Sequence, residues 1–217
     1  MAKKADKKQD KSAKKADKPS WNWLVKIGKE VILDPMNFFE EVPKEHGLKK
    51  ALIYWGVVTL LASLMSLVYI LPYSIMQVAL KGGIAGFVSA PFIVAMIVVA
   101  YFLFFFIGLG MIFVSGAIYQ FIFKLLNGKG GFHDTVRVLC YARTAQLFVV
   151  IPFAGFFVGI YHLVLLVIGF KQVHKLSWGM SVLGTLIPAI IMLFFVIVMI
   201  IIFVLFIFGL IIANIGG

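Results

Sequence analysis

Apolar and polar residues are not evenly mixed along this chain. A charged, aliphatic-poor stretch covers residues 1–20, and a mixed stretch follows to residue 48. Beyond it, long apolar runs are separated by short polar clusters. Within the mixed part, Trp21, Leu24, Val25, Gly28, Val31 and Ile32 recur at helical spacing, with Asn22, Lys26, Lys29 and Glu30 on the other side. This pattern predicts a short amphipathic helix lying in a membrane interface, where Trp21 and Trp23 suit the headgroup boundary. Asp34-Pro35 predicts its end and the start of another turn, with Asp34 as N-cap and Pro35 in the first helical position. Pro43 breaks that turn.

The apolar runs predict five transmembrane helices, at about 51–71, 92–123, 132–151, 156–170 and 180–213. Pro72 ends or kinks the first, and Gly82, Gly83, Gly86 and Pro91 mark an outer connection over 73–90. The second, at about 32 residues, must tilt or bend. Residues 152–155 form a tight corner, and Gly128-Lys129-Gly130-Gly131 reads as a flexible turn. The expected fold is an all-α, polytopic membrane helical bundle, preceded by an interfacial amphipathic helix. Its parts are a disordered tail (1–20), interfacial helices (21–48) and a membrane domain (49–217).

Composition sharpens this picture. The chain is 62% hydrophobic, against roughly 45–50% in soluble domains. Residues 82–123 and 176–217 hold no Lys, Arg, Asp or Glu. Each run is about twice the roughly 20 residues that cross a bilayer core. The net charge of +11 is concentrated at the start, where eight Lys and three Asp share residues 1–20. That segment cannot bury enough surface to offset its chain entropy. It is either a topology-setting tail or a surface for anionic headgroups, with Lys14, Lys15 and Lys18 joining Trp21, Trp23, Lys26 and Lys29 as candidate lipid contacts. A nucleic-acid role is not expected, since no aromatic residues are interleaved for base stacking. The first apolar stretch, at Trp21, is soon interrupted by charge, so insertion is expected to rely on internal spans rather than a secretory leader.

Basic residues beside the spans gather on one side, with only Lys81 opposite. The expected protein is an integral, multi-pass one with a cytoplasmic N-terminus and its C-terminus across the membrane. A single cysteine, Cys140, excludes an internal disulfide and any Cys-based zinc site.

The chemistry concentrates where the third span opens. Asp134, Arg137, Tyr141 and Thr144 fall at steps of three, four and three, which is one stripe of a helix. His133 precedes Arg137 by four, and Arg143 and Gln146 make a second pair. Arg137 can snorkel to the interface, whereas Arg143 lies about 9 Å deeper by helical rise. A charge at that depth is a functional candidate by default. Alternatively, Arg143 marks the start of the true hydrocarbon segment, and spans three and four become a shallow hairpin. His133, Asp134, Arg137, Tyr141, Arg143, Gln146 and His174 form the candidate polar or partner site. His133, Asp134 and His174 lack the close ligand spacing of a metal site, so no metal is expected, and no cofactor either. His162 reads as a packing residue within span four. No catalytic motif is present, so an enzyme is not expected.

Four pieces carry a family resemblance. They are Asp34-Pro35-Met36-Asn37-Phe38-Phe39, the opening of span three from Gly131-Phe132-His133-Asp134 through Arg137 to Tyr141, the corner Ile151-Pro152-Phe153-Ala154-Gly155, and the stretch from Gly169-Phe170-Lys171-Gln172 to Ser177. In this order, over about residues 30–200, the chain resembles the Yip family, membrane proteins named for interaction with Ypt/Rab GTPases. The resemblance implies five spans, a cytoplasmic N-terminus and, in eukaryotic members, a part in vesicle traffic between endoplasmic reticulum and Golgi. This chain looks like the compact bacterial and archaeal members. Its cytoplasmic region is short and Lys-rich, and the Asp-Leu-Tyr-Gly-Pro motif is absent, which argues against a small GTPase partner. Two functions follow as expectations. One is a non-enzymatic protein that organises or shapes membrane and scaffolds other membrane proteins, or itself. The other is a small transporter or channel with Arg143, Gln146 and His162 near a polar path.

Overall fold

The structure is a computed structural model and describes residues 21–45, 47–151 and 154–215. The lysine-rich tail, with Lys14, Lys15 and Lys18, and the Pro152–Phe153 step of the corner lie outside the described residues. Among the described residues every regular element is helical.

Helix α1 (Trp21–Leu33) turns directly into α2 (Pro35–Glu41) at Asp34. The Asp34 carboxylate accepts from the Asn37 backbone N–H at 3.4 Å and from its side-chain amide at 2.7 Å. With Pro35 in the first turn, this is a capped start that needs no preceding helix. A single 3-10 turn, Val42–Lys44, and a left-handed Gly47 (φ 75°) lead into α3.

Helix α3 is helical along Lys49–Leu125, yet it is not one rod. In a straight helix Trp55 and Phe105 would be about 75 Å apart. Their ring centroids here are 5.4 Å apart, and the Ser66 and Tyr101 hydroxyls meet at 2.9 Å. The chain therefore reverses between these residues, and α3 comprises two antiparallel arms. Pro72 and Pro91 lie inside the helical stretch, between Ser66 and Tyr101, where the chain turns back, and the apolar crossings on either side run to Met76 and from Val94. Helices in apolar surroundings tolerate proline, because neighbouring groups can take up the freed backbone bonds. At its other end α3 closes with left-handed Asn127 (φ 61°) and a bond from Gly128 N–H to Phe123 O at 2.7 Å.

Helix α4 (Phe132–Ala142) gives way at Arg143 to a 3-10 segment, Arg143–Val150. The expected continuous span over 132–151 is thus divided. The Thr144 hydroxyl donates to Tyr141 O at 2.6 Å, just where the spiral tightens. Side-chain bonds of this kind compete with the regular helical ladder. Helix α5 (Gly155–His174) ends at left-handed Lys175 (φ 54°), and α6 (Trp178–Ile215) runs through Pro188.

Among the described residues, three helical stretches are long and apolar enough to cross a membrane: Lys49–Met76, Val94–Leu125 and Gly155–His174. Trp178–Ile191 is a shorter apolar stretch at the start of α6. The 132–151 segment is not among them. The packed core lies at one end, where α1, α2, α4, the ends of both α3 arms and the second half of α5 meet. Tyr54, Tyr141, Phe39, Phe123, Phe170 and Leu165 are fully buried there. Gly169 lets α5 approach this core, since a Cβ on it would stand 2.5 Å from Val138 Cγ1. Away from that end, the second α3 arm leaves Phe102, Phe104, Phe106 and Ile107 exposed, as a lipid-facing surface does.

Candidate functional site

Helix α4 carries the polar groups, and its N-terminus sets their register. The Asp134 Oδ2 accepts from Gly131 N–H at 3.0 Å, holding the first turn as the acid of a capping box does. Its other oxygen faces Arg137, at 2.7 Å from Nη1. The Arg137 side chain is only 5% exposed. It also donates from Nη1 to Val42 O and from Nε to Gly47 O, each at 3.1 Å. The guanidinium fork thereby fastens the linker between α2 and α3 onto α4, and its planar spread of donors suits three acceptors at once.

One helical turn further, the Tyr141 hydroxyl donates to Glu45, at 2.9 and 3.1 Å from its two oxygens. Burial pushes the Glu45 carboxyl above the usual range, while the Tyr141 bond and the Arg137 charge pull it back. The next link is the 2.7 Å contact between the Thr144 and Tyr54 hydroxyls. Asp134, Arg137, Tyr141 and Thr144 thus lie along one face of the 132–144 segment. Their partners come from the linker and from the first α3 arm.

A second cluster surrounds His174, which is fully buried. Thr135 donates to Gln120 Oε1, and Gln120 Nε2 donates to Gly130 O at 3.0 Å. With the Thr135 proton so placed, its 3.0 Å contact to His174 Nε2 has the imidazole as donor. Nδ1 then faces the 128–130 turn without a partner among the described residues. A Cβ at either Gly128 or Gly130 would stand 2.9 Å from it. The Gly-Lys-Gly-Gly stretch is therefore a close-packed seat for the imidazole, in place of the flexible turn expected from composition.

The other candidates are dispersed. His133 is exposed on α4, apart from His174. Among the described residues no group of three or more His, Cys, Asp or Glu side chains is placed to hold a metal. His162 Nδ1 donates to Ala142 O at 3.0 Å. Gln146 is half-buried in the 3-10 segment. Arg143 lines a cavity of about 450 Å³ between the two α3 arms, alongside Thr59, Ser63 and Tyr101. Its Nε and the Thr59 hydroxyl are buried with no hydrogen-bond partner among the described residues.

On α1, Trp21, Lys26 and Lys29 are exposed, whereas Trp23 turns inward and meets Tyr54 edge-on at 6.4 Å. The buried face centres on Ile27 and Val31 and leaves Trp21 and Val25 outside. Glu45, Gln120, Thr135 and Thr59 escaped the sequence reading. Each is a single polar residue outside any helical stripe: Glu45 meets Tyr141, Gln120 and Thr135 meet each other across the 128–131 turn, and Thr59 faces a cavity, so no local spacing marked them.

A family model described as the Yip1 domain matches residues 29–200. No curated protein and no solved structure matches the chain.

Proposed function

Because the chain belongs to the Yip1-domain family and is an integral, multi-pass membrane protein, we propose that it acts without catalysis, shaping or organising the bilayer and scaffolding other membrane proteins. The observation that carries this reading is the placement of α1. Ile27 and Val31 fix it to the bundle, while Trp21, Val25 and Leu33 face outward beside Lys26 and Lys29. An apolar rim edged with lysine suits insertion at the headgroup level of an anionic leaflet. The rim is also held rigidly. Tyr161 of α5 donates to Ile32 O at 3.1 Å, and Gln172 donates to Met36 O at 3.3 Å. A rim tied to the spans in this way expands one leaflet and not the other. We place α1 and the N-terminus on the cytoplasmic side, where basic residues concentrate, with the C-terminus opposite. Partners on this reading are anionic headgroups and other membrane proteins or further copies of this chain.

The test is vesicle size and shape at rising protein density, by electron cryomicroscopy. Vesicles should become smaller or tubular with the native chain and less so with a Trp21→Ser, Val25→Ser, Leu33→Ser triple variant. Unchanged vesicles at high density would remove the shaping half of the proposal. Topology is read by labelling single cysteines at Ala154 and Gly217 in a Cys140→Ser background. Both labelling from outside supports full crossing by the 132–170 region, and no labelling at Ala154 supports a re-entrant hairpin.

The cavity at Arg143 favours a second reading, passage of an anion or neutral solute. Against it, His162 commits one ring nitrogen to Ala142 O. Unaltered flux in Arg143→Ala would end that reading.

A further inference from the structure

We propose that the cavity between the two α3 arms is a binding site for one anionic phospholipid, its phosphate held by the Arg143 guanidinium and the Thr59 hydroxyl. The site is separate from the α1 rim and does not depend on any bilayer-shaping activity.

Charge is the first argument. Arg143 packs between two apolar helical arms, beside Thr59, Ser63 and Phe105, where a guanidinium calls for a counter-charge. The chain has nine acidic residues, none of them between Glu45 and Asp134 and none beyond Asp134. Glu45 faces Tyr141, and Asp134 pairs with Arg137 at 2.7 Å. His162, close by, presents a nitrogen that donates to Ala142 O, so it supplies no negative charge. Among the described residues no carboxylate pairs with Arg143, which leaves room for an anion from outside, and an anion arriving from within a bilayer is a lipid.

Shape is the second argument. A volume of about 450 Å³ falls within the range of roughly 300–1,000 Å³ that ligand clefts occupy. Arg143 and Thr59 both line this cavity, and Arg143 Nε and Thr59 Oγ1 are buried without a hydrogen-bond partner among the described residues. Both can donate, and phosphate oxygens accept from a guanidinium in bidentate fashion. The rest of the lining is apolar or aromatic, including Ile70 and Phe104. These two are 37% and 71% exposed, so the cavity opens towards the lipid-facing surface. A lipid can lay its phosphate against Arg143 and run one acyl chain out past Phe104 without leaving the membrane. Ser66 and Tyr101 bond each other across the two arms at 2.9 Å and so brace the cavity wall.

The experiment is native mass spectrometry of the full chain released from a non-ionic detergent. The probe is dioleoyl phosphatidylglycerol, with dioleoyl phosphatidylcholine and oleate run in parallel. The native chain should retain one phosphatidylglycerol in preference to the other two. Arg143→Gln should weaken retention by about tenfold to a hundredfold, the loss of a charge-assisted contact. Lys129→Gln, which removes the same charge from an exposed loop, should retain it unchanged. Ala100→Leu fills the cavity while sparing Arg143, and should also lose the lipid. That variant, with Thr59→Val, decides the matter if Arg143→Gln fails to fold. Equal retention by the folded Arg143→Gln or Ala100→Leu chain would overturn the proposal. So would phosphatidylcholine or oleate held as firmly as phosphatidylglycerol.

Discussion

Removing the Arg137 guanidinium should release the linker between α2 and α3 while leaving the helices in place. Arg137→Met keeps much of the aliphatic stem and deletes three hydrogen bonds, to Asp134, Val42 O and Gly47 O. Breaking a buried ion pair from one side costs about 3–5 kcal/mol, because the remaining charge is left unpaired. Asp134 is 23% exposed and keeps its bond to Gly131 N–H, which places the cost towards the low end, about 3 kcal/mol. At 1.4 kcal/mol per factor of ten, local opening should become on the order of a hundredfold more frequent. Hydrogen exchange at the Glu45 amide reads this directly, since that N–H bonds Val42 O at 3.2 Å, the same oxygen Arg137 holds. Arg137→Lys should fall between the two, for an ammonium reaches Asp134 but cannot span the two carbonyls. Exchange at Glu45 within twofold of the native rate, in a folded Arg137→Met chain, would refute the assignment of Arg137 as the fastener.

Three further outcomes follow from the same geometry. Glu45 is held above the ordinary carboxylate range by burial, so the folded state binds more proton than the unfolded one just above that range. Stability should therefore fall as pH rises through that interval, and Glu45→Gln should flatten the slope in thermal melts across acidic pH while keeping an acceptor for Tyr141. Gly169→Ala would force a Cβ to within 2.5 Å of Val138 Cγ1 and 3.2 Å of the Phe39 ring. Overpacking of this kind costs about 1–3 kcal/mol, a melting temperature lower by roughly 2–12 °C in detergent. Tyr54→Phe removes the 2.7 Å bond to Thr144 yet keeps the ring, and should cost about 1 kcal/mol in the same melt, since Thr144 still reaches Tyr141 O.

The helical, membrane-embedded character of this protein was legible because apolar runs without charge are rare outside bilayers. The stripe Asp134–Arg137–Tyr141–Thr144 was legible for a similar reason, being a local pattern that helical spacing exposes. What the stripe touches was not. Arg137 binds two backbone carbonyls 90 and 95 residues away, and a carbonyl has no signature in sequence. The 3-10 segment from Arg143 was hidden because no Pro or Gly announces it; a threonine hydroxyl bonded to Tyr141 O marks the tightening. Pro72, Pro91 and the glycines between them marked the stretch in which the chain turns back, although helical hydrogen bonding runs on through both prolines. The role of Gly128 and Gly130 required knowing that His174 packs against them, some 44 residues later in the chain.

That long separation also has a meaning in time. Val42 and Arg137 are 95 residues apart, and a ribosome adding about 5–20 residues per second needs roughly 5–20 s to travel between them. Throughout that interval α1, α2 and the linker have emerged while their anchor has not been made. The nascent α1 would then lodge first against lipid, through the tryptophan and lysine edge it still exposes in the finished molecule. Only when α4 arrives can Ile27, Val31 and the linker be drawn onto protein. If α1 inserts at the headgroups as proposed, the order of synthesis makes the bilayer surface the first binding partner of this helix, and the rest of its own chain the second.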